Sequence, residues 1–172
     1  KILFNDAVAM TGGQKNDGGL NAARIVAEVR GIGVRDLAVI YDEKEDVSNK
    51  DFPKDVICLP RGELQSVQKK FSNVSGVSVI VYVQTCAAEK RRRRKRGTFK
   101  DPAERLFINP AVCEGCGDCG VQSNCVSLLP LETPLGRKRQ IDQSSCNKDF
   151  SCVGGFCPSF ATISGGKLRQ RV

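Results

Sequence analysis

The run Cys113-Glu-Gly-Cys116-Gly-Asp-Cys119, answered far downstream by Cys157-Pro158, decides how this chain is read. Seven of the nine cysteines lie within this stretch: Cys113, Cys116, Cys119, Cys125, Cys146, Cys152 and Cys157. Two intervening residues let a tight turn aim successive thiolates at different corners of one polynuclear iron centre, one thiolate per iron. Gly115, Gly117 and Gly120 stand among the cysteines, where positive φ and close backbone approach are expected. Backbone N–H groups in such a turn can point at sulfur and stabilise negative charge. Pro158 opens the following segment with φ already fixed. A disulfide framework is the competing reading, but disulfides belong to oxidising compartments and small secreted domains. A four-cysteine zinc site is the nearer rival. Such sites usually pair two C-x2-C knuckles, whereas this chain has a triplet. It has no histidine, which excludes every mixed Cys/His zinc site.

The triplet closed by a distant Cys-Pro resembles the ligand pattern of bacterial-type 4Fe–4S ferredoxins, in which the fourth cysteine of each motif ligates the other cluster. That resemblance assigns Cys113, Cys116, Cys119 and Cys157 to a first cluster. It leaves Cys125, Cys146 and Cys152 for a possible second one. The pattern departs from the family here. Five residues, not three, separate Cys119 from Cys125, and Val126 stands where a proline is usual. The second half reads C-x5-C-x4-C-P and is one cysteine short. A second cubane needs a non-cysteine ligand or a cysteine from elsewhere. The alternatives are a three-cysteine site, a single-cluster domain with spare buried thiols, or one cluster that uses Cys125 as its fourth ligand. Cys58 and Cys86 are isolated and read as core, with a ligand role the alternative for Cys86 at the end of its strand.

Around this stretch the pattern predicts short strands. Arg105–Asn109 leads into Cys113, Val126–Leu129 and Arg139–Ile141 form a hairpin across Pro134-Leu-Gly136, and Phe160–Ile163 pairs back. Upstream, Lys1–Asn5, Leu37–Tyr41, Val56–Leu59 and Val77–Val83 read as buried strands. Helical spacing appears at Leu20–Arg30, capped by Asn21 or Asn16 and stopped by Gly31 and Gly33, and at Glu63–Phe71. Strands alternating with helices indicate a parallel α/β layer, with ligands beyond the C-terminal strand ends. Asn5 to Gln14 leaves the first strand at such a place.

A chain of 172 residues allows one or two domains, and 40% hydrophobic content is globular. No stretch approaches the ~18 uninterrupted apolar residues of a membrane span. The net charge of +8 suggests a nucleic-acid binder, but Lys90–Arg96 is one unbroken run of seven basic residues. Without it the chain carries 20 basic against 19 acidic residues. It is therefore nearly neutral with one basic segment, expected to repel itself and to lie extended or helical and exposed. A zinc-bearing nucleic-acid binder using this run would be colourless, with an affinity that falls steeply with salt. The chain begins without Met and already inside a strand, which is expected of a fragment of a longer polypeptide.

Asn5-Asp-Ala-Val-Ala-Met-Thr-Gly-Gly-Gln14 resembles the second half of the thiamine diphosphate motif of 2-oxoacid:ferredoxin oxidoreductases. Gln84–Gly97, Cys113–Cys125 and Asp142–Cys152 are similar to the long, fused bacterial indolepyruvate ferredoxin oxidoreductases, in order and over nearly the whole chain. The resemblance implies an α/β parallel-sheet remnant of a thiamine diphosphate-binding domain (1–88), a basic connector (89–104) and an α+β ferredoxin-like iron–sulfur domain (105–172). It implies one or two 4Fe–4S clusters, and thiamine diphosphate with Mg²⁺ shared with upstream sequence that would carry the opening Gly-Asp-Gly. Asn5 through its side-chain oxygen and Ala7 through its carbonyl would be Mg²⁺ ligands, a role suited to hard oxygen donors. Thr11, Gly12, Gly13 and Gln14 would pass close to the cofactor. The implied reaction is coenzyme A-acylating oxidative decarboxylation of indolepyruvate or another aryl pyruvate, with ferredoxin as acceptor. No general base for it is visible, so no catalytic residue is assigned. A cytoplasmic homo-oligomer with no nucleic-acid or membrane partner is expected, its basic run facing acidic surface or an acidic ferredoxin. The rival reading is a stand-alone ferredoxin-type electron carrier with an accessory α/β domain.

Overall fold

The computed structural model describes residues 1–7, 14 and 17–166. The chain divides into two compact units, Lys1–Glu89 and Lys90–Val172.

The first unit is a four-stranded parallel sheet with a helix on each face. The strands are β1 (Ile2–Phe4), β2 (Asp36–Tyr41), β3 (Ile57–Pro60) and β4 (Ser78–Val83), ordered β1-β4-β2-β3. Ile2 faces Val81, Ala38 faces Ile80 and Val39 faces Cys58 across parallel pairs. The period-two alternation of strand side chains builds two cores from β2 and β4. Leu37, Val39, Val81 and Val83 pack with Ile25, Val26 and Val29 of α1 (Ala22–Gly31). Ala38, Ile40 and Ile80 pack with Val67 and Phe71 of α2 (Leu64–Ser72).

Local signals set the helix ends. The Asn21 side chain accepts the Arg24 N–H at 2.9 Å, the N-cap expected from sequence and worth about 1 kcal/mol. At the other end Gly33 has φ 98°, and Gly33 and Val34 donate to the Arg30 and Val29 carbonyls, a Schellman stop. The second predicted helix begins as one 3₁₀ turn at Arg61–Glu63 before α2.

The second unit is built otherwise. It opens with most of α3 (Ala87–Lys95) and continues with β5 (Glu104–Ile108), α4 (Asp118–Ser123), β6 (Leu128–Thr133), β7 (Gly136–Ile141) and β8 (Phe160–Ser164). β5 pairs antiparallel with β8, and β6 with β7. The expected hairpin is present, but its first arm starts at Leu128, two residues later than expected, and runs to Thr133, while its second starts at Gly136, three residues earlier. Among the described residues, both apolar cores lie in the first unit. Among the described residues of the second, the buried apolar side chains are Leu106, Ile108, Cys113 and Cys119. No helix among the described residues is long and apolar enough to cross a membrane.

The basic run is helical, as one of its expected forms, but not wholly exposed. Ala, Glu, Lys and Arg are strong helix formers, and cations near a helix C-terminus are favourable. Lys90 is buried and Arg91–Arg94 are half-buried, leaving Lys95 and Arg96 exposed. Helix α3 ends in its own Schellman pattern, Gly97 donating to Arg94 and Thr98 to Arg93.

Ile40 is fully buried at the centre of the sheet. Ile40→Ala should destabilise the first unit by about 2–5 kcal/mol, read as a lowered denaturant midpoint in far-UV circular dichroism.

Candidate metal centre

Three cysteines of the triplet sit on the approach to α4 and in its first turn. Asn109, at the end of β5, accepts the N–H groups of Val112 and Cys113 on its carbonyl and that of Ala111 on its side chain. Its own N–H donates to the Ser159 carbonyl at 2.8 Å. That bond ties the start of the triplet to the Cys157-Pro158-Ser159 segment, which lies more than forty residues downstream. Gly115 (φ 75°) and Gly117 (φ 84°) adopt the expected left-handed conformation, whereas Gly120 lies inside α4 without it. Gly115 also allows a close approach: a Cβ there would lie 2.3 Å from the Arg137 carbonyl oxygen of β7.

The result is a cavity of about 260 Å³ whose walls include Cys113, Cys116, Cys119 and Cys157. Ile108, Phe160 and Pro158 add apolar wall, and Arg139 of β7 adds a cation. Burial pushes the Cys119 thiol up; the Gly120 N–H and Arg139 oppose this, while Cys113 and Cys116 reinforce it. The Cys157 sulfur lies 3.0 Å from the buried Ser159 hydroxyl. Among the described residues no three Cys, Asp or Glu side chains converge on the position of a single bare ion. The four thiols instead stand around a shared space. Their donor chemistry, the cation and the partly apolar wall fit a polynuclear iron–sulfur group.

Cys125, Cys146 and Cys152 form a second group outside that cavity lining. They are half-buried and feel one another. Burial first, with Cys146 and Cys125 acting the same way, pushes Cys152 up to about 11. Burial raises Cys146 as well, while the Lys148 N–H, 3.4 Å from its sulfur, acts the other way. A compact turn carries Cys146. Asp142 accepts from the Ser144 N–H and hydroxyl on one oxygen and from the Ser145 hydroxyl on the other. These bonds, led by Ser145, hold the Asp142 carboxyl below its usual range. The Asp142 carbonyl then receives the Cys146 N–H. Ser145 also reaches the buried Ser127 hydroxyl, and Gln143 donates to the Leu106 carbonyl of β5.

In the first unit Asn5 and Ala7 stand just beyond the C-terminal end of β1. The Asn5 side-chain oxygen accepts the Ala7 N–H at 3.2 Å, Asp6 has φ 55°, and Ala7 is buried. The turn thus ties the Asn5 side-chain oxygen to the Ala7 N–H rather than to its carbonyl. Thr11, Gly12 and Gly13 lie outside the described residues, and Gln14 is exposed. Another cavity, of about 360 Å³, lies beside Phe4, Val83 and the start of α1. Cys58 packs against the first core and burial raises its pKa. Cys86 is half-buried and its N–H bonds the Asn5 carbonyl.

Sequence reasoning missed a polar network at the C-terminal ends of β2 and β4. Buried Asp42 accepts from Gln84 at 2.7 Å and Arg61 at 3.2 Å. Tyr82 donates to Gln84, and Glu45 accepts from the Thr85 N–H and hydroxyl. The one local signal for it is an aspartate directly following a buried strand.

No family model matches the chain, and no curated protein or solved structure matches it significantly.

Gly115→Ala should distort the triplet, because both φ and the Arg137 carbonyl forbid the methyl group. Iron and acid-labile sulfide per chain should fall at least twofold after anaerobic purification. Gly120→Ala, which meets nothing within 4 Å, should keep the wild-type content.

Proposed function

We propose that this chain is the electron-relay part, with one edge of the thiamine site, of a 2-oxoacid:ferredoxin oxidoreductase of the indolepyruvate type. The observation that carries the reading is the cavity walled by Cys113, Cys116, Cys119 and Cys157, in a unit with almost no apolar core of its own. A unit with so little buried hydrocarbon gains stability from any metal bound in its folded form. The motif resemblance over both units supplies the rest.

In the proposed whole enzyme, an aryl pyruvate and coenzyme A yield acyl-CoA and CO₂, and the two electrons released reduce two ferredoxins. When bound, thiamine diphosphate with Mg²⁺ would supply the carbon chemistry and the clusters the one-electron steps. The chain's own residues have narrower tasks. Cys113, Cys116, Cys119 and Cys157 would hold the first cluster, and Cys125, Cys146 and Cys152 would hold a second. By the resemblance, Asn5 and Ala7 would contribute oxygens to Mg²⁺, and Thr11, Gly12, Gly13 and Gln14 would pass close to the cofactor. Ile108, Pro158 and Phe160 limit water around the first thiol group, and Arg139 offsets part of its negative charge. Lys95 and Arg96, exposed at the end of α3, are the part of the basic run open to an acidic ferredoxin.

Anaerobic purification with iron and sulfide analysis, and EPR after reduction, tests this reading. About eight irons per chain are expected for two cubanes and about four for one; none would overturn it. Cys157→Ser should remove about four irons and leave those of the other group. Anaerobic chelation should unfold the second unit while the first keeps its denaturant midpoint. Loss of the iron with no change in hydrogen exchange at β5–β8 would show that metal does not support that unit.

A further inference from the structure

The basic run is not spent on solvent. Arg91 and Arg94 are one helical turn apart, so they share a face of α3. The Arg91 Nη1 donates to the Ser145 carbonyl at 2.8 Å, and the Arg94 Nη1 donates to the Asn147 carbonyl at 2.8 Å. These are the carbonyls on either side of Cys146. Two arginines therefore grip the backbone immediately before and after one thiol.

Arg94 is itself fixed from several sides. Its side chain is 11% exposed, its Nε lies 3.9 Å from an Asp101 oxygen, and its guanidinium stacks over the Phe99 ring at 5.3 Å. Asp101 also bonds Arg105 and Lys148, so it anchors both Arg94 and the residue two beyond Cys146. The buried Arg94 Nε has no hydrogen-bond partner. Burial pulls the guanidinium below its ordinary pKa, while Asp101, Cys146 and Asp149 act to keep it charged. A cation buried this far is costly unless anionic charge faces it.

We propose that Arg91 and Arg94 are positioning residues of the second thiol group: they clamp the Cys146 turn, and Arg94 supplies the counter-charge that lets Cys125, Cys146 and Cys152 hold an anionic iron–sulfur cluster. This rests on the cluster reading above. It gives the sequence's most conspicuous charge run an inward role, and it assigns to protein charge some of the stabilisation that a missing cysteine does not provide. Iron–sulfur potentials respond to such nearby charge and hydrogen bonding.

The test compares Arg94→Gln, Arg91→Gln, Arg94→Lys and the exposed-site control Arg96→Gln with wild-type protein, all purified anaerobically as the full chain. Iron and sulfide per chain and potentiometric EPR are the readouts. Arg94→Gln should lower occupancy of the second cluster at least threefold and shift what remains to a more negative potential. The first cluster's signal should persist and report an intact fold. Arg94→Lys should recover part of the occupancy, and Arg96→Gln should match wild type. If Arg94→Gln strips both clusters, Arg91→Gln decides, since it removes only one hydrogen bond of the clamp. Arg91→Gln that then keeps both clusters at wild-type occupancy and potential overturns the proposal, as does Arg94→Gln indistinguishable from Arg96→Gln. Wild-type protein with no more than about four irons, insensitive to Cys146→Ser, instead refutes the second cluster itself.

Discussion

The second unit has thiols where an apolar core would ordinarily stand. Among the described residues, Leu106 and Ile108 are buried on β5, and beyond them the enclosed side chains are Cys113, Cys119, Ser127, Ser159 and, on α3, Lys90. Two short antiparallel ribbons with so little buried hydrocarbon are marginal in water. What closes the unit instead is a set of polar ties. Asn109 joins the triplet to Ser159, Gln143 reaches the β5 backbone, and Asp142 and Ser145 shape the turn that bears Cys146. Each tie brings a cysteine to its place. A cluster bound there would serve as both cofactor and core.

The first unit obeys the opposite rule. Its stability rests on alternation along β2, where Leu37 and Val39 point to one helix and Ala38 and Ile40 to the other. Each fully buried aliphatic side chain contributes roughly 1.5–3 kcal/mol. Every strand runs the same way, so all the C-terminal ends open on one edge. That edge carries both the Asn5–Ala7 turn and the Asp42 network.

Charge is where composition misleads most. A net +8 concentrated in seven residues invites a search for an external polyanion. The helix converts the linear run into faces, and Arg91 and Arg94, three residues apart, both reach the backbone around Cys146. Their partners are two backbone carbonyls and one aspartate, none of which a charge count reveals.

The sequence alone determined what depends on neighbours a few residues apart. Strand and helix periodicity, the Asn21 cap, the Gly33 stop and the tight turns at Gly115 and Gly117 are local backbone physics, and each was legible within a short window. The tertiary structure decided what depends on closure over long separations. Only folding puts Cys157 into the wall shared by Cys113, Cys116 and Cys119, because that needs β8 paired to β5 and the Asn109–Ser159 bond. Only folding separates Cys125 from that wall and sets it with Cys146 and Cys152. Spacing can say that thiolates are able to share a centre, but the hydrogen bonds between distant segments choose which ones share a space.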